Sequence, residues 1–278
     1  MQPVDQPFPG LDGRRVIVTG GTRGVGAGIA RGFLRAGARV LVCARHEPAD
    51  GAALPSADGR TAEFTRADVR DPEQARELIA TAANRFGGVD VVISNAGGAP
   101  PAPAATASPR LHARVIELNL IAPLHVAQGA NEVMQGQPEG GSIIMIGSVS
   151  GTRPSPGTAA YGAAKAGLHH LVTSLAIEWA PKVRVNTVVP GFVATESAAA
   201  HYGDADGVAA VAATVPLGRL ATPDDVAAAC LFLASPRAAY VSGASLTLHG
   251  GGEPPAFLSA LGLLAPSGTP GVLSEQKK

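Results

Sequence analysis

Tyr161 and Lys165 stand four residues apart in the run Tyr161-Gly162-Ala163-Ala164-Lys165. On a helix this spacing stacks the two side chains on one face. An isolated phenol titrates at about 10. A cation one turn away favours phenolate, so the pair is expected to bring the Tyr161 pKa down toward the working range of an acid/base. Such a pair also arises by chance on ordinary helices. Ser148 lies thirteen residues before Tyr161, just past the apolar run Ser142–Ile146. Parallel sheets carry their functional loops at such strand ends. The surrounding Ile146-Gly147-Ser148-Val149-Ser150-Gly151 is not the Gly-x-Ser-x-Gly of a nucleophile elbow.

A second cluster is Thr19-Gly20-Gly21-Thr22-Arg23-Gly24-Val25-Gly26. Glycines let a backbone turn tightly and approach a pyrophosphate, and a helix that follows aims its positive end at the phosphates. Ile29 stands where Gly-x-Gly-x-x-Gly would need its third glycine, and no Gly-Lys-Ser/Thr follows as in a P-loop. Plain tight packing uses such a turn as well. Metal chemistry has no footing: Cys43 and Cys230 form no Cys-x-x-Cys, and the seven histidines form no His-Glu-x-x-His.

These groups need a scaffold, and the apolar pattern supplies one. Arg15–Thr19, Arg39–Cys43, Asp90–Ser94, Ser142–Ile146 and Val183–Val188 are short, β-branched and nearly continuous in apolarity, as strands buried on both faces are. Ser245–Leu248 is a weaker last strand. Helical stretches fall between them at Gly24–Ala36, Asp71–Phe86, Pro109–Gln135, Ala159–Ala180 and Pro223–Ala234. Asp71-Pro72 and Thr222-Pro223 are cap residues before proline at the first helical position. The alternation predicts an α/β fold, a single doubly wound parallel sheet with helices on both faces. His46–Gly59, with two prolines, leaves room for a short helix at most. One domain is expected over 11–252, followed by a proline-rich extension over 253–278.

Composition narrows the function classes. Of 278 residues, 46% are hydrophobic and 16% charged, and 22 basic residues balance 22 acidic ones. Disorder needs lower hydrophobicity and higher net charge. A neutral chain also lacks the basic surplus that nucleic acid or an anionic membrane surface requires. No apolar run approaches the ~18 residues of a membrane span. The first residues lack the basic and apolar regions of a signal peptide, and two unpaired-looking cysteines suit a reducing cytoplasm.

The motifs occur in one order: Thr19-Gly20-x-x-x-Gly24-x-Gly26, Asn95-Ala96-Gly97, Asn119, Ser148, Tyr161-x-x-x-Lys165 and Pro190-Gly191. Together they resemble the short-chain dehydrogenase/reductases, single-domain oxidoreductases of Rossmann type, from about Leu11 to Gly252. The resemblance implies that Tyr161 is the general acid/base and that Lys165 lowers its pKa and bonds the nicotinamide ribose. It implies that Ser148 holds the substrate oxygen and that Asn119 positions a water in a proton relay from Lys165. It puts Gly20, Thr22, Arg23, Gly24, Val25 and Gly26 at the phosphates, and Asp68 and Val69 at the adenine. Asn95, Ala96 and Gly97 then lie beside the cofactor, and Pro190, Gly191, Val193 and Thr195 border the nicotinamide. A homotetramer is implied too, with the helices Pro109–Gln135 and Ala159–Ala180 against a partner.

Members that use NAD carry an acid at the end of the second strand to bond the ribose 2′-hydroxyl. Ala44 stands there, followed by Arg45, and Arg23 lies in the glycine turn. Two guanidinium groups suit a 2′-phosphate. NADP is therefore favoured over NAD, although solvated surface arginines would read the same way. The loops after Gly97, Ser148 and Pro190 are rich in Ala, Gly and Pro and poor in charge, which points to an apolar carbonyl or alcohol as substrate. Other readings are a non-catalytic nucleotide sensor or scaffold, which the intact Asn119, Ser148, Tyr161 and Lys165 set opposes, and an epimerase or dehydratase of the longer branch, whose first-turn pattern and separate substrate region are absent.

Overall fold

The apolar runs become strands in the computed structural model, which describes residues 8–48, 53–196, 202–255, 257 and 261. They are β1 (Arg15–Thr19), β2 (Arg39–Ala44), β6 (Val91–Ser94), β7 (Gly141–Ile146), β8 (Val183–Pro190) and β9 (Ser245–Leu248). The pattern did not predict β5 (Glu63–Arg66), nor the small hairpin of β3 (Ser56–Ala57) and β4 (Arg60–Thr61). Seven strands form one sheet in the order β5-β2-β1-β6-β7-β8-β9, and every pairing is parallel. The direction of winding reverses between β1 and β6. A crevice outside the carboxyl ends of those strands follows from that reversal.

The helices are α1 (Gly24–Arg35), α2 (Pro72–Phe86), α3 (Pro109–Ile116), α4 (Ala122–Gly136), α5 (Ala159–Glu178), α6 (Ala205–Ala213) and α7 (Pro223–Ala234). Pro109–Gln135, expected as one helix, is interrupted by a π turn at Glu117–Ile121 between α3 and α4. Among the described residues no helix joins β2 to β5. Strand side chains alternate between two cores, because successive residues point to opposite faces. Ile17, Leu41 and Val92 pack in one layer with residues of α2, α4 and α5. Val16, Val18, Val40 and Val42 pack in the other, with α1 and α7.

The amino ends of β1 and β6 are tied at the winding switch. Arg15 donates from its backbone N–H and its Nε to one Asp90 oxygen, both at 2.8 Å, and from Nη2 to the other at 2.6 Å. Residues 49–52 and 197–201, and most of the expected 253–278 extension, lie outside the described residues.

Candidate active site

The carboxyl ends of β1, β2, β6, β7 and β8 open onto a cleft of about 880 Å³. Every site residue expected from the sequence lines it except Asn119, which is fully buried just behind. The glycine turn is its floor at β1. A Cβ on Gly26 would sit 2.3 Å from the Gly20 carbonyl oxygen and 2.5 Å from Asn95 Nδ2, so only glycine closes this turn. Asn95 staples it across the winding switch, donating from Nδ2 to the carbonyls of Thr19 (2.9 Å) and Gly20 (3.2 Å). Thr19 Oγ1 accepts from the Asn95 and Ala96 N–H groups at 3.0 Å each.

Helix α1 begins at this floor with no side-chain cap from Arg23. Instead, the Gly24 N–H donates to Glu196 Oε2 at 3.1 Å. Helix amino ends carry unpaired N–H donors and a partial positive charge, and here they have drawn in a carboxylate. A phosphate would find the same donors. At the end of β2, Ala44 and Arg45 line the cleft, as does Arg23. A further hollow beyond Arg45 is shared by Arg66, Asp68 and Arg70. Arg70 pairs with Asp68 and holds that carboxyl below its ordinary pKa. Among the described residues, neither Arg23 nor Arg45 forms a salt bridge, although the Arg45 charge adds to the lowering of Asp68. Backbone cradle and helix end fit the phosphates of a dinucleotide.

The facing wall comes from β7 and α5. Ser148 follows β7, and its side chain hydrogen-bonds the Tyr161 hydroxyl. Ser148 Oγ also accepts from the Ser150 N–H at 3.1 Å. Lys165, one turn along α5, donates from Nζ to the Ile146 carbonyl at 2.8 Å, with Nζ 5.6 Å from the Tyr161 ring centre. A Cβ on Gly97 would lie 2.8 Å from Asn119 Oδ1 and 3.4 Å from Lys165 Nζ. Gly97 is thus the point where strand β6, the π turn and α5 converge. The π turn frees Asn119 to use both ends of its amide. Oδ1 accepts from the Gly98 N–H at 2.9 Å, and Nδ2 donates to the Gly98 and Val115 carbonyls at 2.9 Å each. π turns are frequent at functional sites.

The electrostatics correct one expectation. Burial pushes the Tyr161 phenol above its ordinary pKa, and the Ser148 hydrogen bond offsets only part of the rise. The fall expected from the Lys165 spacing is not seen in the free chain. Burial acts on Lys165 as well and brings it down to about 8. His169, one turn further along α5, is lowered by burial and by Lys165, and its Nε2 accepts from the Ser148 N–H at 3.4 Å.

The lining residues that the sequence reading did not single out include Arg153, Phe192, Glu196 and Tyr202, all within loops expected to set the substrate. Arg153 had a signal, being the only charge between Ser148 and Tyr161. Phe192 directly follows the Pro190-Gly191 motif. Among the described residues, no group of three or more metal-binding side chains forms, and no helix is long and apolar enough to cross a membrane.

Residues 20–253 match the family described as Enoyl-(Acyl carrier protein) reductase. Cis-4-hydroxycyclohexanecarboxylate dehydrogenase of Sinomonas cyclohexanicum is 38% identical over 241 residues, covering 86% of this chain and 96% of its own. L-rhamnose 1-dehydrogenase (NAD(P)(+)) of Azotobacter vinelandii is 37% identical over 247 residues, covering 86% and 96%. The ligand-free aldohexose dehydrogenase of Thermoplasma acidophilum superposes with a TM-score of 0.80 at 27% identity, covering 95% of this chain and all of that one. With its parallel sheet, glycine turn and Ser148, Tyr161 and Lys165 on one cleft, the chain belongs to the short-chain dehydrogenase/reductase family.

Proposed function

We propose that the protein interconverts a carbonyl and a secondary alcohol on a largely apolar small molecule, with NADP as cofactor. The observation that carries this reading is the meeting of Ser148, Tyr161 and Lys165 on the wall opposite a phosphate-cradling turn. Relatives named for dehydrogenation of a sugar and of a cyclic hydroxycarboxylate, one with NAD(P)(+), support an oxidoreductase with a nicotinamide dinucleotide. The bound nicotinamide supplies or accepts the hydride, chemistry that no side chain here performs.

The protein orients the substrate and moves the proton. Ser148 holds the substrate oxygen beside the Tyr161 hydroxyl. In reduction Tyr161 gives its proton to that oxygen; in oxidation it takes the alcohol proton. A phenol kept protonated by burial suits the first step. Lys165 bonds the nicotinamide ribose and passes the proton onward, and Asn119 positions the water next in line. Gly20, Thr22, Gly24, Val25 and Gly26 meet the phosphates, and Asp68 and Val69 the adenine. Asn95, Ala96, Gly97, Pro190, Gly191, Val193 and Thr195 enclose the nicotinamide half. Residues 11–252 form the oxidoreductase domain, and 253–278 an extension. Two buried free thiols suit the cytoplasm. The working form is a homotetramer built on the α3–α4 and α5 faces; sedimentation as a monomer at micromolar concentration would remove that claim.

Arg23 and Arg45 select NADP by gripping the 2′-phosphate, with Ala44 in place of the acid that NAD requires. The test is turnover of carbonyls and alcohols with each nucleotide, in wild type, Arg45→Ala and Ala44→Asp. A charge-assisted hydrogen bond contributes roughly 1.5–3 kcal/mol, so Arg45→Ala should weaken NADPH about ten- to a hundredfold and spare NADH. Ala44→Asp should shift preference toward NADH by repelling the phosphate. Equal losses for both nucleotides, or a wild type that prefers NADH, would overturn the NADP assignment.

A further inference from the structure

We infer that Arg153 recognises a carboxylate on the substrate, and that Glu253 holds this position in the free enzyme. The inference rests on the carbonyl–alcohol reading above and names the substrate class.

Arg153 is the only charged residue between Ser148 and Tyr161, in a loop otherwise made of small residues and proline. Its side chain lines the cleft and is one-third exposed. Nη1 donates to the Pro154 carbonyl at 3.1 Å, and Nη2 donates to Glu253 Oε1 at 2.6 Å. Nε is buried and has no acceptor. Nε and Nη2 form the edge of a guanidinium that matches the two oxygens of a carboxylate. Glu253 thus engages that edge through one oxygen and leaves half of it unused. A carboxylate set squarely on the edge satisfies both donors.

Glu253 is suited to being displaced. It lies a hundred residues away in sequence, after β9, with its side chain more than one-third exposed. Water can take over its hydrogen bonds once it leaves, which keeps the exchange inexpensive.

The 2′-phosphate end of the cofactor does not account for Arg153. Arg45 stands at the end of β2, and Arg153 follows β7. The sheet order sets these strands three steps apart, about 14 Å at the usual strand spacing. Arg153 instead serves the side of the cleft that holds Ser148 and Tyr161. Its guanidinium lies 5.9 Å from the Phe192 ring centre, and the Phe192 ring meets Tyr202 edge-on at 5.7 Å. One cation set against the Phe192 ring, with Tyr202 packed on that ring in turn, suits a ligand with an apolar body and one anionic end. That class is a keto acid, or the corresponding hydroxy acid.

The test uses ketones in pairs of free acid and methyl ester: 4-oxopentanoate, 4-oxocyclohexanecarboxylate and 4-acetylbenzoate, each with NADPH and NADH. In wild type at least one acid should exceed its ester in kcat/KM by about ten- to a hundredfold, the range of one charge-assisted contact. Arg153→Met should bring that ratio near one, chiefly through KM. Arg153→Lys, which keeps the charge and loses the fork, should fall between. Glu253→Gln should lower KM for the acid, because the internal competitor is weakened; a merely structural ion pair would not give that sign. Equal use of acid and ester by wild type, an acid preference that survives Arg153→Met, or a raised acid KM in Glu253→Gln would overturn the inference alone. No turnover of acid or ester with either nucleotide would overturn the carbonyl reading together with it.

Discussion

Removing one oxygen atom separates chemistry from binding in this cleft. Tyr161→Phe deletes the proposed proton donor and leaves the phosphate cradle at β1 untouched. Its kcat should fall about 10²–10⁴-fold, the usual worth of general acid–base catalysis, while NADPH binding by fluorescence titration stays unchanged. Wild-type turnover in this variant would end the mechanism. Lys165 invites a stability measurement. Its pKa of about 8 lies below the ~10.4 of an exposed lysine, so the unfolded chain holds this proton more tightly. Folding stability from this group therefore rises as pH climbs from about 8 to about 10, and the penalty of the buried charge is fully present below 8. Lys165→Met lacks the charge altogether. The wild-type melting temperature, taken relative to this variant, should gain across that interval, and the variant should lose turnover. A flat difference would mean that the ammonium is not desolvated. Residue identities at this scale could be read from short motifs, but the direction of the Tyr161 shift could not, because burial depends on what packs above the ring. Arg153 stayed unread for a related reason: its partner is a hundred residues distant.

Helices and strands differed in how openly the sequence declared them. Central strands such as Val16–Val18 and Val40–Val42 are apolar on both faces, so their pattern is continuous. Strand β5, Glu63-Phe64-Thr65-Arg66, sits at the sheet edge with charged ends exposed. Edge strands carry charge to resist pairing with other chains, and that same charge hides them. The π turn left no periodic trace, since one added residue within Glu117–Ile121 is fixed by Asn119 bonding Gly98 on another element. Caps were readable. Thr222 Oγ1 accepts from the Asp225 N–H at 3.2 Å, and Asp225 Oδ2 accepts from the Thr222 N–H at 2.7 Å. This box starts α7, which packs on α1 and so steadies the glycine turn. Thr222→Ala should cost about 1 kcal/mol, seen as a lower urea midpoint at unchanged slope. No change would show that α7 is held by packing alone. Arg219 holds the Asp225 carboxyl down to about 2. Its contribution is therefore complete above the unfolded value near 4, declines as pH falls below that, and is lost once pH passes through about 2.

Across the whole molecule, alternation of strand and helix implied the layers, and the place of the cleft followed from the winding switch between β1 and β6. Helix α6 was not foreseen; none of its residues is buried, so no core pattern marks it. One further feature reaches past the active site. Cys43 and Cys230 are both buried free thiols, their pKa values raised by burial, Cys43 to about 12. They belong to opposite layers: Cys43 packs with α2, α4 and α5, and Cys230 with α1 and α7. A thiol reagent such as a nitrobenzoate disulfide reaches Cys230 only when its layer parts from the sheet, whereas Cys43, though buried, borders the cleft and is also approached from there. Labelling at each site, resolved by mass spectrometry of peptides, would therefore time exposure of the cleft floor at Cys43 and opening of the α1–α7 layer at Cys230 independently. NADPH at a hundred times its Kd should slow any opening that releases the cofactor about a hundredfold. If Cys43 alone is slowed, the cofactor covers the cleft without holding the α1–α7 layer; if both slow together, it holds that layer too, and the chain carries a clock on each side of the sheet.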